Sequence, residues 1–186
     1  MGIDEVGRGC WAGPLVAGAV ILEKSIVGLK DSKKLSKQQR DKLAAQIQIE
    51  AVAIGLGWVE PKELDAIGLT AAVGLAMQRA LEHIRIDFDE IIIDGNINYF
   101  STDNRAKAMV KADDLVPAVS AASIIAKVAR DNYMAGVAHR KYPEYAFDKH
   151  VGYGTSQHQQ MLQLYGVSEL HRLSFRPIQA IMGSTI

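Results

Sequence analysis

Apolar positions along the chain fall into two alternating spacings. The run Leu15-Val16-Ala17-Gly18-Ala19-Val20-Ile21-Leu22 is unbroken, rich in β-branched residues, and bounded by Pro14 and the charged pair Glu23-Lys24. It predicts a buried strand. Ala51 to Val59 predicts another. Glu90-Ile91-Ile92-Ile93-Asp94-Gly95 predicts an apolar strand that ends in a carboxylate and a turn residue, and Ala106 to Val110 a weaker one. Elsewhere the period is helical. Ser36 followed three places later by Gln39 is a capping-box pattern, after which Leu43, Ile47 and Ala51 share one face. Pro61 suits the first turn of a short helix through Leu64. Val73, Met77, Ala80, Leu81 and Ile84 follow the spacing of a buried helix. From about Pro117 to Arg140 one stripe carries Ala122, Ala126, Ala129 and Tyr133 and another Ser120, Ser123, Lys127 and Asp131. Thr155 to Leu164 predicts a further helix, stopped by Gly166. Strands early and strand-helix alternation after them predict an α/β layer protein, a mixed β-sheet covered by helices.

Length and composition narrow the class. With 186 residues, 48% of them hydrophobic and 23% charged, the chain fits one soluble globular domain with a substantial core. The single cysteine, Cys10, excludes an intramolecular disulfide and a multi-thiolate zinc site and fits a reducing cytoplasm. No apolar run is long enough to span a bilayer, and no signal-peptide pattern opens the chain, so the expected location is cytoplasmic, without a membrane. Lys+Arg and Asp+Glu balance at 21 each, yet Lys24, Lys30, Lys33, Lys34, Lys37, Arg40 and Lys42 crowd one stretch. Such a cluster can neutralise phosphates. It is also what an ordinary solvated face looks like.

The chemistry begins at Ile3-Asp4-Glu5-Val6-Gly7-Arg8-Gly9-Cys10-Trp11-Ala12-Gly13-Pro14, where two adjacent carboxylates precede a glycine loop carrying one arginine. Gly7-x-Gly9-x-x-Ala12 formally matches the relaxed dinucleotide fingerprint, with Asp31 near the distance of a ribose ligand. That fingerprint needs a helix to begin inside the loop. Pro14 and a β-branched run follow instead, which argues against a nucleotide cofactor.

The carboxylates make the stronger pattern. Asp4 and Glu5 end or interrupt an opening strand, Asp94 sits at a strand tip, and Asp113-Asp114 follows another strand just before a helix. Carboxylates that converge cannot all stay ionised without a positive charge between them. A hard divalent cation is the usual solution, and two such ions about 3.5–4 Å apart can activate water and stabilise the leaving oxygen of a phosphodiester. Singly, each acid has a plain structural reading: Asp94-Gly95 as a turn, Asp114 as a helix N-cap, Asp4-Glu5 as a wet strand end.

Taken together, Ile3-Asp4-Glu5-Val6-Gly7-Arg8-Gly9 with Ala12-Gly13-Pro14 resembles the signature of bacterial ribonuclease HII. Further matches follow in order: Asp31-Ser32-Lys33-Lys34-Leu35-Ser36, Ile93-Asp94-Gly95, Lys111-Ala112-Asp113, Ser120 to Lys127, His150 to Tyr153, and His171-Arg172-Leu173-Ser174-Phe175. The sister ribonuclease HIII usually lacks a counterpart of Arg8 and adds an N-terminal domain, and neither suits this chain. The resemblance implies an RNase H-like fold over residues 1–186, with a helical C-terminal segment from about 155 to 186 packed on it. It implies an endonuclease that cuts the RNA strand of RNA–DNA hybrids and cuts 5′ to ribonucleotides embedded in duplex DNA, leaving 3′-hydroxyl and 5′-phosphate ends. The expected cofactor is Mg²⁺ or Mn²⁺ in a two-metal site, and the expected state a monomer.

Carried over by motif, Asp4, Glu5, Asp94 and Asp113 are the metal-binding, catalytic acids, and Asp114 is the cap. The backbone of Gly7, Arg8 and Gly9 is expected to hydrogen-bond a ribose 2′-hydroxyl, the group that separates RNA from DNA. Tyr153 resembles the family tyrosine that stacks on the sugar beyond the ribonucleotide. Lys33, Lys34 and Lys127 are candidate phosphate contacts, and Ser123 completes the expected substrate-binding set. His150 and His171 lie in family-like strings, although a lone histidine is more often a structural hydrogen-bonding group.

Two departures stand out. Val151 occupies a position where many members have lysine, which removes one phosphate contact. Only Met1, Gly2 and Ile3 precede Asp4, where members carry several more residues, so the start is expected to be truncated or to leave a short edge strand prone to fraying. Two other readings share these residues: another RNase H-like metal-dependent DNA nuclease or recombinase, and a nucleic-acid-binding module without catalysis.

Overall fold

The computed structural model describes residues 1–183. Its strands are β1 (Gly2–Val6), β2 (Leu15–Ile21), β3 (Ala53–Val59), β4 (Ile91–Asp94) and β5 (Ala106–Met109). Its helices are α1 (Lys37–Glu50), α2 (Pro61–Ile67), α3 (Leu69–Glu82), α4 (Ala112–Leu115), α5 (Pro117–Tyr133), α6 (His139–Lys141), α7 (Phe147–His150), α8 (Ser156–Tyr165) and α9 (Arg176–Gly183). The elements expected from periodicity all form. The long helix expected to reach Arg140 does continue past α5, through a π-helical turn over Met134–Ala138 into α6. The expected C-terminal helical segment forms as α8 and α9, and residues 184–186 lie outside the described ones.

Local chemistry sets the boundaries. Ser36 caps α1 with the reciprocal bonds of a capping box: Gln39 N–H donates to the serine Oγ, and the Gln39 carbonyl oxygen Oε1 accepts from Ser36 N–H. Pro61 occupies the start of α2. Thr155 Oγ1 accepts from the backbone N–H of His158 at the start of α8, and Gly166 ends it at φ 73°.

The sheet is mixed, in the order β3-β2-β1-β4-β5. β1 lies antiparallel to β2, with Asp4 opposite Gly18, and parallel to β4, with Ile3 opposite Ile93. β4 and β5 are parallel. The first strand is therefore central, contrary to the expectation of a short, fraying edge. Its lead-in is tied down as well: the Met1 carbonyl accepts from Ile92 N–H at 2.9 Å and the terminal ammonium donates to the Glu90 carbonyl at 3.0 Å. Pairing on both sides anchors a strand that length alone would not.

Helices cover the sheet closely where glycine removes the side chain. A Cβ on Gly18 of β2 would stand 2.5 Å from the Ala122 carbonyl oxygen of α5, and one on Gly57 of β3 only 1.9 Å from that of Ala76 in α3. The chain gathers into two compact units. The first (Met1–Val6, Val16–Trp58, Val73–Val128) centres on Val20, Leu43 and Ile47 packed with Ala121, Ala122, Ile124 and Ile125. The second (Gly7–Leu15, Val59–Ala72 and the chain from Ala129 on) centres on Ala12, Met134, Tyr145, Phe147, Leu162, Leu170 and Ile178. Burying each large apolar side chain of this kind contributes about 1.5–3 kcal/mol. Among the described residues no helix is long and apolar enough to cross a membrane.

Candidate metal centre and glycine loop

The first unit assembles its acids from three elements. Parallel pairing of Ile3 with Ile93 brings Asp4 of β1 and Asp94 of β4 out of adjacent strands at one level. The chain then returns from β5 into α4, whose first turn holds Asp113. Asp94 Oδ1 accepts from the backbone N–H of Ala112 at 2.8 Å and of Asp113 at 3.5 Å, so this strand-end carboxylate caps α4 and draws Asp113 beside it. One carboxylate oxygen each from Asp4, Asp94 and Asp113 lies within 4.8 Å of the others.

That arrangement corrects the expected role of Asp114. The donors at the start of α4 are taken by Asp94, and the preceding residue Lys111 adopts φ 61° with no side-chain cap. Asp114 instead sits inside the helix and binds the Lys34 ammonium through both oxygens, at 2.7 and 2.6 Å. A carboxylate from a distant strand has displaced the local one, which no spacing within Lys111-Ala112-Asp113-Asp114 reveals.

Charge is concentrated here. Burial pushes the Asp4 carboxyl up to about 8, with the Glu5 and Asp94 charges adding to the rise, against hydrogen bonds from Ser123 and from the Glu5 backbone N–H. Asp113 is also raised, by burial first and then by Asp94. Like charges that resist joint ionisation, with oxygen as the only donor type, match the requirements of a hard divalent cation. The residues present therefore fit such an ion. Glu5, next along the strand and half-buried, is not part of the close trio.

Ser123 is 4% exposed on α5, with its Oγ 2.9 Å from that of Ser32. The structure thus places this expected substrate contact behind Asp4, in a Ser32–Ser123–Asp4 chain. Lys33 is exposed, with its ammonium 3.9 Å from Asp31, and Lys127 is half-buried on α5. A cleft of about 490 Å³ is lined by Asp94, Asp113, Asp31, Lys33, Lys34 and Lys111 among others.

The second unit holds the glycine loop and Tyr153. Gly7 adopts φ 92° and lies against the Arg130 guanidinium, whereas Arg8 and Gly9 are exposed. Two buried arginines grip the loop through its carbonyls. Arg172 donates to Gly7 O (2.6 Å), Arg8 O (3.2 Å) and twice to Gly13 O (3.0 and 2.9 Å). Arg130 donates to Pro14 O (2.8 Å), Ala12 O (3.0 Å) and Val151 O (2.9 Å). Gly152 O in turn accepts from Trp11 N–H at 2.8 Å and Ala12 N–H at 3.2 Å, binding the Tyr153 segment to the loop. Tyr153 is 39% exposed, with the Arg130 guanidinium 6.0 Å from the centre of its ring. Burial, then the neighbouring Cys10, pushes its phenol up to about 12.

Three of the five histidines, His150, His158 and His171, form a structural cluster. The Tyr153 carbonyl, 3.0 Å from His158 Nδ1, can only accept, so that nitrogen carries the proton. His158 Nε2 then accepts from His171 Nε2–H at 3.0 Å, and His171 Nδ1 accepts from Ser168 N–H at 2.8 Å. His150 stacks on His158 at 4.3 Å and donates through Nε2 to the Tyr145 carbonyl. Sequence reasoning missed His158, Arg130, Arg172 and Ser32. Arg172 and Ser32 stand inside the quoted motif strings, but their partners are invisible there.

Comparison with known proteins adds a family. The family model described as Ribonuclease HII matches residues 1–178. The chain is 45% identical over 184 residues to ribonuclease HII of Janthinobacterium sp. (strain Marseille), covering 98% of this chain and 87% of that protein. The crystal structure of ribonuclease H2 from Pyrococcus horikoshii OT3 superposes with a TM-score of 0.82 at 31% identity, covering 98% of this chain and 96% of that one. The fold is also similar to that of Bst-RNase HIII in complex with Mn²⁺, with a TM-score of 0.75 at 20% identity, over 98% of this chain and 68% of that one.

Proposed function

The chain belongs to the ribonuclease HII family, metal-dependent ribonucleases of the ribonuclease H type, and from that premise we propose that it cuts the RNA strand of RNA–DNA hybrids and cuts 5′ to ribonucleotides embedded in duplex DNA. The observation that carries the proposal is the convergence of Asp4, Asp94 and Asp113 from three separate elements at positions matching the family's acids. Asp4, Asp94 and Asp113, with Glu5 beside them, would hold two ions, Mg²⁺ or Mn²⁺. When bound, such ions supply an activated water and stabilise the leaving oxygen.

The protein's own groups do the remaining work. Ser123 fixes the Asp4 carboxylate, and Asp94 holds Asp113 in place through the start of α4. The Gly7-Arg8-Gly9 backbone reads the 2′-hydroxyl, and Tyr153 stacks on the neighbouring sugar. Gly9 supports the first role, because a Cβ there would meet no protein atom within 4 Å. Internal packing gives no reason for glycine at that position, whereas the approach of a ribose does. Lys33, Lys34 and Lys127 contact phosphates, with Lys34 shared between phosphate and Asp114. Water oxygen bonds to phosphorus as the P–O3′ bond breaks, leaving a 3′-hydroxyl upstream and a 5′-phosphate on the ribonucleotide.

The test is a labelled DNA duplex with one ribonucleotide and its all-DNA twin, each incubated with and without Mg²⁺ or Mn²⁺. Metal-dependent cleavage of the first alone, 5′ to the ribonucleotide, is expected. Cleavage of both would replace the reading with a DNA nuclease, and cleavage of neither by folded protein with a non-catalytic binder.

A further inference from the structure

Arg172 is a fully buried cation whose hydrogen bonds, among the described residues, all go to backbone carbonyls. Burying a guanidinium without a carboxylate partner is a poor way to gain stability. What the group offers instead is a rigid planar fork of directional donors. Burial lowers its pKa to about 10, which leaves it charged at neutral pH.

The fork fixes two peptide planes. No peptide bond among the described residues is cis, and in a trans peptide the carbonyl of one residue and the N–H of the next point in opposite directions. With Gly7 O and Arg8 O both turned onto the Arg172 Nη1, the N–H groups of Arg8 and Gly9 are turned away from it. Arg8 and Gly9 are exposed, open space lies where a Gly9 side chain would stand, and the Gly9 N–H donates to no protein group among the described residues. An outward, unsatisfied donor beside open space is a site for an acceptor oxygen.

We propose that Arg172 is the positioning residue for sugar discrimination, holding the Arg8 and Gly9 peptides so that their N–H groups meet the ribose 2′-oxygen. The inference rests on the ribose-reading role proposed above. Arg130, which lies against Gly7 and grips the Ala12, Pro14 and Val151 carbonyls, fixes the base of the loop without hydrogen-bonding either of those two peptides.

The experiment compares kcat/KM on duplexes carrying a ribonucleotide or a 2′-fluoro nucleotide at the same position, for the wild type, Arg172→Lys and Arg172→Met. Losing the geometry of such hydrogen bonds should cost roughly tenfold or more on the ribonucleotide. The slow cleavage of the fluoro substrate should change by less than about threefold, so the ratio between substrates collapses. Equal losses on both substrates would make Arg172 merely structural and overturn the inference. A wild type that does not prefer ribose would instead overturn the ribose-reading role beneath it. Should the variants fail to fold, the wild type decides. With ¹⁵N-glycine labelling and Ca²⁺ in place of the active metal, the Gly9 amide resonance should move on binding the ribonucleotide duplex and not its all-DNA twin. An unmoved Gly9 resonance overturns the inference.

Discussion

A buried carboxylate next to two others is costly while nothing positive lies between them, and Asp4 is the residue where this cost is largest. Asn at that position keeps an oxygen to accept from Glu5 N–H and Ser123 while removing the ionisable carboxyl, whose raised pKa costs the folded state stability at every pH above the unfolded value near 3.8. The Asp4→Asn protein, stripped of metal by EDTA at pH 7.5, should therefore melt at or above the wild-type temperature. Wild-type protein should gain thermal stability on addition of Mn²⁺, and the variant should gain far less. A variant that melts several degrees lower without metal would show that the Asp4 charge is compensated by something other than a cation. Part of the site was legible in the sequence: Asp94 was marked by strand-end placement and motif and Asp113 by Lys111-Ala112, whereas Asp4, expected to end or interrupt its strand, lies inside β1 and was marked by motif alone. The roles of Arg130 and Arg172 were not legible. Their partners are carbonyl oxygens, which every residue possesses and no sequence marks, and all but Val151 lie more than a hundred positions away.

Elements were read more completely than their connections. The apolar run after Pro14 became β2, and the Ser36/Gln39 pair capped α1 as expected. Pairing between elements was less visible. The central place of β1 depends on β4, some ninety residues on, and the capping of α4 by Asp94 depends on β4 as well. Close helix-sheet contact makes a prediction here. Gly57→Ala places a Cβ against the Ala76 carbonyl, forcing α3 away from β3 at a cost of about 1–3 kcal/mol, measurable as a lowered urea midpoint.

The histidine stack makes another. His158 and His171 are held neutral, burial pushing their pKa values down to about 4 and about 3, and each neutral ring is hydrogen-bonded at both nitrogens. The unfolded chain takes up protons near pH 6.5 and the folded one only at lower pH, so these rings subtract stability as pH falls from about 6.5 towards 4. Tyr153 O and Ser168 N–H face the pair at its two ends, and His150 packs on His158 with its own pKa lowered by burial. Urea unfolding across that window should show stability falling with pH, and His158→Phe should flatten the fall while lowering stability at pH 7. A slope unchanged by the substitution would contradict the assignment.

For the molecule as a whole, the 21 basic and 21 acidic residues cancel, so attraction to nucleic acid has to come from local groups. If Lys33 contacts one phosphate, Lys33→Ala should weaken hybrid binding and reduce the slope of log affinity against log salt by about one. An unchanged slope would remove Lys33 from the interface.

The central claim is that Asp4, Asp94 and Asp113, and not the adjacent Asp114, make the metal centre of a ribonuclease. It is tested most directly by cleavage of a single-ribonucleotide duplex in Mg²⁺ and in Mn²⁺ by Asp113→Asn and Asp114→Asn, side by side. Both substitutions remove one charge from neighbouring positions of α4. The account predicts that Asp113→Asn loses roughly a hundred- to a thousandfold in kcat, the scale on which removing a key electrostatic group acts. Asp114→Asn, which disturbs the exposed pair with Lys34 and a hydrogen bond from the Asp31 backbone, should stay within a few-fold of the wild type. Activity retained by Asp113→Asn and lost by Asp114→Asn would contradict the account.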